Sequence, residues 1–265
     1  MSDEEADRSF VERRIEDHVA TVTLVRPEAM NAISGAVADQ LAGAVLQAAA
    51  DPTVWVVVLA AAGDRAFCVG ADLKERNRLD DAGWLRNRAL MRSMFESVRA
   101  VPQPTVASVF GFALGGGFEL ALSCDLIVCS DDAVFGLPEV TVGIVPGGGG
   151  TQLLRRKVGE AKAKDLVLTG RRLNAVEARD MGLVTTVVTR DQLEAATMDL
   201  AGTIRRASPV AVREAKRAID HGAEVPLEHG LDIEDLAWRR AVASQDRREG
   251  IAAFNEKRDP EWTGR

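Results

Sequence analysis

The sequence predicts an α/β protein, and three features of its 265 residues support this fold class. Apolar runs rich in β-branched residues, such as VWVVVLAA (54–61), TVASVF (105–110) and DLIVCS (125–130), are typical of strands buried on both faces. Helical patterns separate these runs, so crossover connections in a parallel or mixed sheet are expected. Beyond about residue 190 only helical patterns occur. We therefore divide the chain into a tail at 1–9, an α/β core at 10–190 and a helical region at 191–265.

The first elements of the core are a hairpin, a helix and a strand. Two extended runs flank the turn Glu16-Asp17-His18, and the second run, VATVTLV, alternates with period two. Ser34 is a favourable N-cap for the helical stretch SGAVADQLAGAVLQAAAD, which ends before Pro52. The buried strand VWVVVLAA follows this helix.

The same pattern then repeats along the core. A loop, GDRAFCVGADLKER, leads to a helix through WLRNRALMRSMFESVRA, and the strand TVASVF, a glycine-led helix and the strand DLIVCS come next. In AVFGLPEVTVGIVPGGGGTQLL, a short extended segment is expected around Pro138, followed by a glycine-rich turn. The last helical patterns are QLEAATMDLAGTIRRA, PVAVREAKRAIDHG and PLEHGLDIEDLAWRRAVAS, in a region suited to subunit packing.

Composition and charge argue against several classes of function. The net charge of -7 and a pI near 5.2 disfavour a broad nucleic-acid or anionic-membrane surface, because such partners require a basic face. No uncharged apolar span approaches the roughly 20 residues of a transmembrane helix. The acidic start MSDEEADRS resembles neither a secretory signal nor a transit peptide, so a frayed tail and a cytoplasmic location are expected. Cys68, Cys124 and Cys129 form no CxxC pair, so we expect reduced structural thiols and no metal site.

A run of three glycines stands directly before an apolar helix in GFALGGGFELALSCDL (111–126). Glycine is a costly way to begin a helix, so we expect another group to approach this backbone closely. The amide of Gly116 would lie at a helix N-terminus, where a negatively charged oxygen is stabilised. Glu119 follows on the same helical face. The alternative is a tight packing corner with a solvated Glu119, but its apolar neighbours demand a reason for a buried carboxylate.

A second amide donor and a second carboxylate complete the predicted site. In AFCVGADLKE, Gly70 relieves crowding just before Ala71, and an oxyanion hole needs amides from two segments that converge on one oxygen. Pro138 stiffens the chain before Glu139, which is placed to form an acid/base pair with Glu119. Neither glycine cluster is a nucleotide loop, because GGGG lacks the GK[ST] ending and no GxGxxG follows a strand.

These segments resemble those of a known family. VASVFGFALGGGFELALSCDLIV, AFCVGADLKE and FGLPEVTVGIVPGGGGTQ are similar to signature segments of the crotonase (enoyl-CoA hydratase/isomerase) superfamily, as are NAISG and DRREGIAAFNEKR near the ends. The similarity extends over residues 10–258. It implies a crotonase-like spiral of ββα repeats that forms two nearly perpendicular sheets, with a C-terminal helical region for trimer assembly and hexamers built as paired trimers.

The resemblance also implies roles for individual residues. Ala71 and Gly116 match the two amide donors to a thioester oxygen. Glu119 and Glu139 match the carboxylates with which hydratases activate water and deliver a proton to the α-carbon of a trans-2-enoyl-CoA. Coenzyme A would be part of the substrate and not a separate cofactor. The residues that match its contacts, the last two from a neighbouring subunit, are Ala71, Asp72, Leu73, Lys74, Gly116, Phe254 and Lys257.

Departures from the family pattern leave the acyl substrate open. Phe110 replaces a common Asn, and Leu137 stands before Pro138 where a polar residue is often found, so the lining of the acyl pocket is in question. The segments CVGADLKER, IVPGGGGTQ and HGAEVPLEHGLDIE resemble the methylglutaconyl-CoA hydratase branch more than the short-chain fatty-acid enzymes.

Other functions are alternatives to hydration. An isomerase of the same fold would move the double bond with a single carboxylate, and a dehalogenase or decarboxylase would be expected to alter one of the glutamate positions. A glycosidase is poorly supported, since the chain has no tyrosine and only four tryptophans to stack on a sugar. A noncatalytic RNA-binding role is disfavoured because the helix after Ser34 contains no lysine or arginine. The expected partners are an acyl-CoA and further copies of the chain, as a trimer or hexamer, with no nucleic acid and no membrane.

Overall fold

The computed structural model describes residues 8–265, which form two β-sheets. The strands are β1 (Val11–Glu16), β2 (Val19–Leu24), β3 (Val56–Ala61), β4 (Ala66–Cys68), β5 (Thr105–Val109), β6 (Phe112–Leu114), β7 (Leu126–Ser130), β8 (Val134–Gly136), β9 (Arg172–Asn174) and β10 (Thr186–Val188). Six of them form a larger sheet in the order β1-β2-β3-β5-β7-β10, and four form a smaller sheet in the order β4-β6-β8-β9. Most of the tail expected at 1–9 lies outside the described residues.

Helices follow most of the strands and are the regular elements of the C-terminal region. They are α1 (Gly35–Ala50), α2 (Leu73–Arg76), α3 (Asp81–Arg99), α4 (Gly116–Leu122), α5 (Gly150–Val158), α6 (Glu160–Thr169), α7 (Ala175–Asp180), α8 (Leu193–Arg205), α9 (Pro209–Gly222), α10 (Leu227–Ala243) and α11 (Gln245–Glu256). Three short 3-10 helices cover Pro27–Ala29, Pro138–Val142 and Arg190–Gln192.

Three consecutive ββα units build both sheets. β3 and β4 precede α2 and α3, β5 and β6 precede α4, and β7 and β8 precede α5 and α6. In each unit the first strand joins the larger sheet and the second strand joins the smaller one. The neighbouring pairs β3·β5, β5·β7, β4·β6 and β6·β8 are all parallel. The α/β class and the ββα repeat predicted from the sequence are confirmed.

The central strands of the larger sheet are buried on both faces. Along β3, Val57 and Leu59 belong to the main apolar cluster, which also contains Leu41 of α1. The alternate residues of the same strand, Val56 and Val58, face a second cluster that includes Leu193 and Ala201 of α8. Two-sided burial explains why this strand reads as a continuous apolar run.

Local signals at the start of the core also agree with the sequence. β1 and β2 form an antiparallel hairpin in which Glu16 pairs with Val19. The two turn residues between them, Asp17 and His18, have φ of 46° and 66°, the left-handed geometry of a tight hairpin turn. Ser34 caps α1, where its side chain accepts a hydrogen bond from the amide of Val37 at 3.3 Å.

Three segments differ from the sequence-based prediction. The stretch expected to be a loop, 63–76, contains strand β4 and helix α2. Helix α3 begins at Asp81, before Trp84, because the Asp80 carboxylate accepts a hydrogen bond from the Gly83 amide at 2.7 Å. The segment after Leu137 is not extended but forms a 3-10 helix with Pro138 in its first turn, where the fixed φ of proline suits a helical start.

The C-terminal region contains α8 to α11 and no strand between residues 191 and 265. Helices α9 and α10 leave large apolar side chains exposed, namely Ile219 (71%), Leu227 (76%), Leu231 (54%) and Trp238 (62%). Large exposed apolar side chains grouped on two packed helices are common at protein–protein contacts. The trimer predicted from the sequence stays a prediction. Within residues 8–265, none of the helices is long and apolar enough to cross a membrane.

Candidate active site

The predicted site residues follow three neighbouring strands of the smaller sheet. β4 leads to Ala71, β6 leads to Gly116, and β8 leads to Glu139. These strands are parallel and lie in the order β4-β6-β8. Because the carboxyl ends of parallel strands meet at one edge of a sheet, the three segments converge there. A cavity of about 620 Å³ lies at this edge, and its lining includes Ala71, Gly116, Glu119 and Glu139.

Two backbone amides lie side by side in this cavity. A Cβ built on Gly116 would be 3.7 Å from the amide nitrogen of Ala71, and one built on Gly70 would be 2.8 Å from the nitrogen of Gly116. The amide of Gly116 is at the start of α4, so it has no intrahelical acceptor. Within residues 8–265, no hydrogen-bond acceptor is found for the amide of Ala71 either. The two N–H groups are therefore available to one oxygen of a ligand.

Each glycine of the 115–117 run has its own steric reason. Gly115 has φ of 53°, a region that side chains rarely adopt. A Cβ on Gly117 would lie 1.9 Å from the carbonyl oxygen of Cys68, so the backbones of α4 and β4 could not approach each other. Gly116 faces the cavity, and its missing side chain leaves space for a ligand. The sequence predicted that another group approaches this glycine backbone closely. Strand β4 does so at Gly117, and the cavity lies beside Gly116.

Glu119 is buried and held by the second glycine run. The side chain is 3% exposed, and its Oε1 accepts hydrogen bonds from the amides of Gly148 at 2.6 Å and Gly150 at 2.8 Å. Burial raises the pKa of Glu119, while these amide hydrogen bonds oppose the rise. Phe95 packs against this loop, and a Cβ on Gly148 would be 2.4 Å from its ring. The backbone amides of 147–150 therefore supply the hydrogen bonds that stabilise a buried carboxylate.

Glu139 has a different environment. It lies in the first turn of the 3-10 helix and is partly buried. Its Oε2 is buried and has no hydrogen-bond partner among residues 8–265. Burial raises the pKa of Glu139 to about 7, with repulsion from Glu119 adding to the rise and Arg76 opposing it. Two carboxyl groups in different environments thus share one cavity, which is the arrangement that acid/base catalysis uses.

The cavity also contains residues that the sequence analysis missed. One face of α3 contributes Trp84, Asn87, Arg88, Met91 and Phe95 to the lining, and α2 contributes Arg76. The residues of α3 are spaced by three or four positions, so their helical periodicity was visible in the sequence. That periodicity could indicate an inward face but not that this face borders a cavity.

Some residues predicted to contact coenzyme A have structural partners or lie away from the cavity. Leu73 lines the cavity, whereas Lys74 is exposed and is not among the lining residues. The carboxylate of Asp72 accepts hydrogen bonds from the amides of Lys74 and Glu75 at 3.0 and 3.2 Å and pairs with Arg26 at 2.7 Å. Asp72 therefore caps α2 and ties it to the segment after β2.

The two predicted contacts at the carboxyl end are not brought to the cavity of the same chain. Phe254 is 84% exposed. Lys257 ends α11 in a left-handed conformation with φ of 57°. Neither residue lines the cavity, so their expected role at the site of a neighbouring subunit stays a prediction.

The two departures from the family pattern lie outside the cavity lining. Phe110 is 6% exposed, and the guanidinium of Arg190 lies 4.0 Å from the centre of its ring. Leu137 is fully buried beneath Gly150. Because neither side chain lines the cavity, neither shapes it directly.

Comparison with known proteins agrees with this geometry. The family model described as enoyl-CoA hydratase/isomerase matches residues 14–265. The chain belongs to the enoyl-CoA hydratase/isomerase family. Among members of this family, it is 43% identical over 248 residues to a Bacillus subtilis protein that has the provisional name enoyl-CoA hydratase/isomerase YngF, covering 94% of this chain and 95% of that protein.

A mammalian protein and a solved structure of the enoyl-CoA hydratase/isomerase family are also similar to this chain over nearly its whole length. The mouse protein named enoyl-CoA hydratase domain-containing protein 2, mitochondrial, is 42% identical over 251 residues, which cover 93% of this chain and 85% of the mouse protein. The crystal structure of an enoyl-CoA hydratase from Bacillus anthracis superposes with a TM-score of 0.95 at 40% identity, over 97% of this chain and 100% of the other. The crotonase fold predicted from the signature segments is confirmed.

Proposed function

We propose that this protein is an enoyl-CoA hydratase that adds water across the 2,3 double bond of a trans-2-enoyl-CoA to give a 3-hydroxyacyl-CoA. The observation that carries the proposal is the presence, in one cavity, of two free amides and two carboxyl groups. An isomerase needs only one carboxylate to move a proton between two carbons. Hydration needs a base for water and an acid for carbon 2, so it uses both.

The amides of Ala71 and Gly116 bind the thioester carbonyl oxygen. They stabilise the negative charge that develops on this oxygen as water attacks carbon 3, and donors that meet such charge in a water-poor site contribute a few kcal/mol each. Both amides come from backbone fixed at strand exits, so little reorganisation is needed during the reaction.

The different environments of the glutamates suggest a division of roles. Glu119 accepts two amide hydrogen bonds at Oε1, which offset part of the rise in its pKa that burial causes, so we assign it as the base that takes a proton from water. Glu139 has a buried, unpaired oxygen and a pKa raised to about 7, so it acts as the acid that gives its proton to carbon 2. The hydroxyl adds to carbon 3, and the proton gained by Glu119 is returned to Glu139 through solvent after product release.

The proposal is tested by loss of conjugated-thioester absorbance on a panel of enoyl-CoAs. Glu119→Gln and Glu139→Gln should each lower kcat by about a hundredfold or more, with binding of the thioester largely retained. Hydration of crotonyl-CoA at the parent rate by either variant would overturn that residue's role. If the parent converts only a 3-enoyl-CoA into its 2-enoyl isomer and adds no water, the isomerase alternative replaces hydration.

The proposal extends to the assembly and to its ligand. Further copies of the chain associate through the helical region as a trimer or hexamer, and Phe254 and Lys257 of one copy meet the nucleotide end of coenzyme A bound to another. Lys257→Glu should then raise KM for an enoyl-CoA more than for a pantetheine thioester without the nucleotide. Lys162→Glu, at an exposed lysine of α6, is the control. Equal changes in KM for both substrates would exclude a contact between Lys257 and the nucleotide.

A cytoplasmic enzyme with no nucleic-acid partner is part of the same proposal. The net charge of -7 supports the absence of a nucleic-acid partner, because retention of RNA depends on a basic surface. We expect no salt-dependent retention of RNA by the purified protein. Retention that falls steeply with salt would instead support the RNA-binding alternative.

A further inference from the structure

The amide of Ala71 is aimed at the cavity by a short strand contact on its other side. Ile33 and Ala71 form a parallel β-bridge. The amide of Ile33 donates to the carbonyl of Gly70 at 2.7 Å, and the carbonyl of Ile33 accepts from the amide of Asp72 at 2.9 Å. Both hydrogen bonds go to the neighbours of Ala71, so the N–H and C=O groups of Ala71 itself point away from Ile33. The backbone around Ile33 therefore sets the direction of one of the two cavity amides.

Arg26 joins the two segments of this bridge. Its Nη1 donates to the carbonyl of Ala32 at 3.1 Å and to Oδ2 of Asp72 at 2.7 Å. Ala32 lies directly before Ile33 in the chain. Asp72 lies directly after Ala71. One guanidinium nitrogen thus holds both segments, each at a residue next to the bridged pair.

The ion pair between Arg26 and Asp72 is shielded from solvent. Its side chains are 16% and 11% exposed, whereas those of the nearby pair Arg8–Glu28 are 51% and 50% exposed. The guanidinium carbon of Arg26 lies 5.7 Å from the centre of the buried Phe10 ring. A shielded ion pair is costly to desolvate, so its presence favours a role in fixing one geometry over a role in raising stability.

The segment before Ile33 is itself anchored to the sheets. Asn31 is 1% exposed and has φ of 54°. Its Oδ1 accepts from the amide of Arg26 at 2.9 Å, and its Nδ2 donates to the carbonyls of Ala62 and Ala66 at 3.0 and 2.9 Å. Ala62 follows β3 and Ala66 begins β4. The bridge to Ala71 is therefore built on backbone that both sheets hold in place.

We propose that Arg26 and Asp72 are positioning residues that hold the amide of Ala71 on the thioester oxygen. This inference rests on the proposed hydratase function and adds two residues to the support of its oxyanion hole. Neither side chain lines the cavity, so both act through the backbone of Ala71 and not by contact with the substrate.

Replacement of Arg26 should affect the transition state more than the bound substrate, because the charge on the oxygen develops only as water attacks. Arg26→Met should lower kcat for crotonyl-CoA by about tenfold or more and change KM little. Arg26→Lys should recover part of the loss, since one nitrogen makes both hydrogen bonds and the shorter lysine retains a charged donor. A parent value of kcat in Arg26→Met would overturn the inference.

Arg8→Met is the matched control for the loss of an arginine at this place. The guanidinium carbon of Arg8 lies 5.2 Å from the centre of the same Phe10 ring, but its ion-pair partner is Glu28. The variant should keep the parent kcat. A fall in kcat as large as that of Arg26→Met would mean that packing on the ring, and not the bridge to Asp72, is responsible, which contradicts the inference.

An infrared measurement separates this inference from the proposed function. Butyryl-CoA is a saturated thioester that cannot be hydrated, and its labelled carbonyl reports the hydrogen bonds of the bound oxygen. The carbonyl stretch should move to lower wavenumber on binding to the parent, and Arg26→Met should lose up to about half of this shift because one of two donors is displaced. This pattern in a protein that hydrates no enoyl-CoA would refute the hydratase but support the positioning role. An undiminished shift in Arg26→Met would overturn that role, even in a variant that is less stable or less active.

Asp72→Asn decides the question if Arg26→Met does not fold. Asparagine keeps an oxygen that can accept from the amides of Lys74 and Glu75, as the Asp72 carboxylate does, but it loses the charge that pairs with Arg26. We expect the same fall in kcat and the same loss of carbonyl shift. Parent values of both quantities in a folded Asp72→Asn variant would overturn the inference.

Discussion

The two glycine runs of the site, 115–117 and 147–150, look similar in the sequence but serve different acceptors. In the first run, the amide of Gly116 has no acceptor among residues 8–265 and faces the cavity. In the second run, the amides of Gly148 and Gly150 both donate to the carboxylate of Glu119. The first run thus offers hydrogen bonds to a ligand, and the second uses its hydrogen bonds to hold a side chain of the protein.

This difference shows that a glycine run has to be assigned residue by residue. Gly117 and Gly148 are required by steric contacts, since a Cβ there would lie 1.9 Å from the oxygen of Cys68 and 2.4 Å from the ring of Phe95, respectively. Gly116 has no such clash, because the nearest atom to its Cβ would be 3.4 Å away. A substitution series within the runs can therefore separate folding from catalysis.

The largest effect is expected from alanine at position 117. Gly117→Ala forces the backbones of α4 and β4 apart, and we expect a loss of about 3 kcal/mol or more in the free energy of unfolding. Gly116→Ala should keep the stability of the parent but lower kcat by about tenfold or more, because its methyl group crowds the space beside the Ala71 amide. Thermal unfolding and crotonyl-CoA hydration measure the two effects. A stable Gly117→Ala variant, or a fully active Gly116→Ala variant, would remove the distinction between these neighbours.

A smaller effect is expected from alanine at position 148. Gly148→Ala pushes the loop away from Phe95, so Glu119 loses an amide donor and kcat should fall by roughly tenfold to a hundredfold. Phe95→Leu in the same chain makes room for the methyl group and should restore part of the loss. Phe95→Leu alone is the control. No recovery in the double variant would show that the contact with Phe95 does not fix the loop.

The smallest effects concern pH. If Glu139 is the acid, kcat/KM should fall as the pH rises through about 7, because the free enzyme then loses the required proton. The folded protein also keeps this proton between about pH 4.5 and 7, where the unfolded chain has lost it. As the pH rises from about 4.5 to 7, the free energy of unfolding should therefore decrease in the parent. The decrease should be smaller in Glu139→Gln. Urea unfolding of both proteins at several pH values measures the difference, and parallel curves would contradict the raised pKa.

Long periodic segments made much of the fold predictable. The hairpin, helix α1 and the buried strand β3 follow from alternation, from the Ser34 cap and from a continuous apolar run, all of which are local signals. Strands β4, β6 and β8 have only three residues each, too few for a period to be recognised. Their pairing is a tertiary effect, and it is this pairing that brings Ala71, Gly116 and Glu139 together.

The site could be predicted where a short stretch of sequence by itself indicates the chemistry. Glu119, close behind a glycine run and among apolar residues, could be identified because a buried carboxylate there needs a reason. Arg76 and Arg88 could not be identified, since they come from two helices and look like any other charged residue in the sequence. The 3-10 helix around Glu139 was also missed, because proline is compatible with extended and helical starts alike.

The short parallel strands of the smaller sheet have a consequence for how this enzyme can diversify. Ala71, Gly116 and Glu139 each come after the last paired residue of their strand, which are Cys68, Leu114 and Gly136. Adjacent strands lie about 4.8 Å apart, so the exits bring three separate loops within reach of one small molecule. A change in one loop that avoids the contacts between residues 68–71 and 115–117 leaves the hydrogen bonds of the sheet intact. Outside those contacts the layout is modular, and new chemistry at the same site can evolve by exchanging one loop at a time.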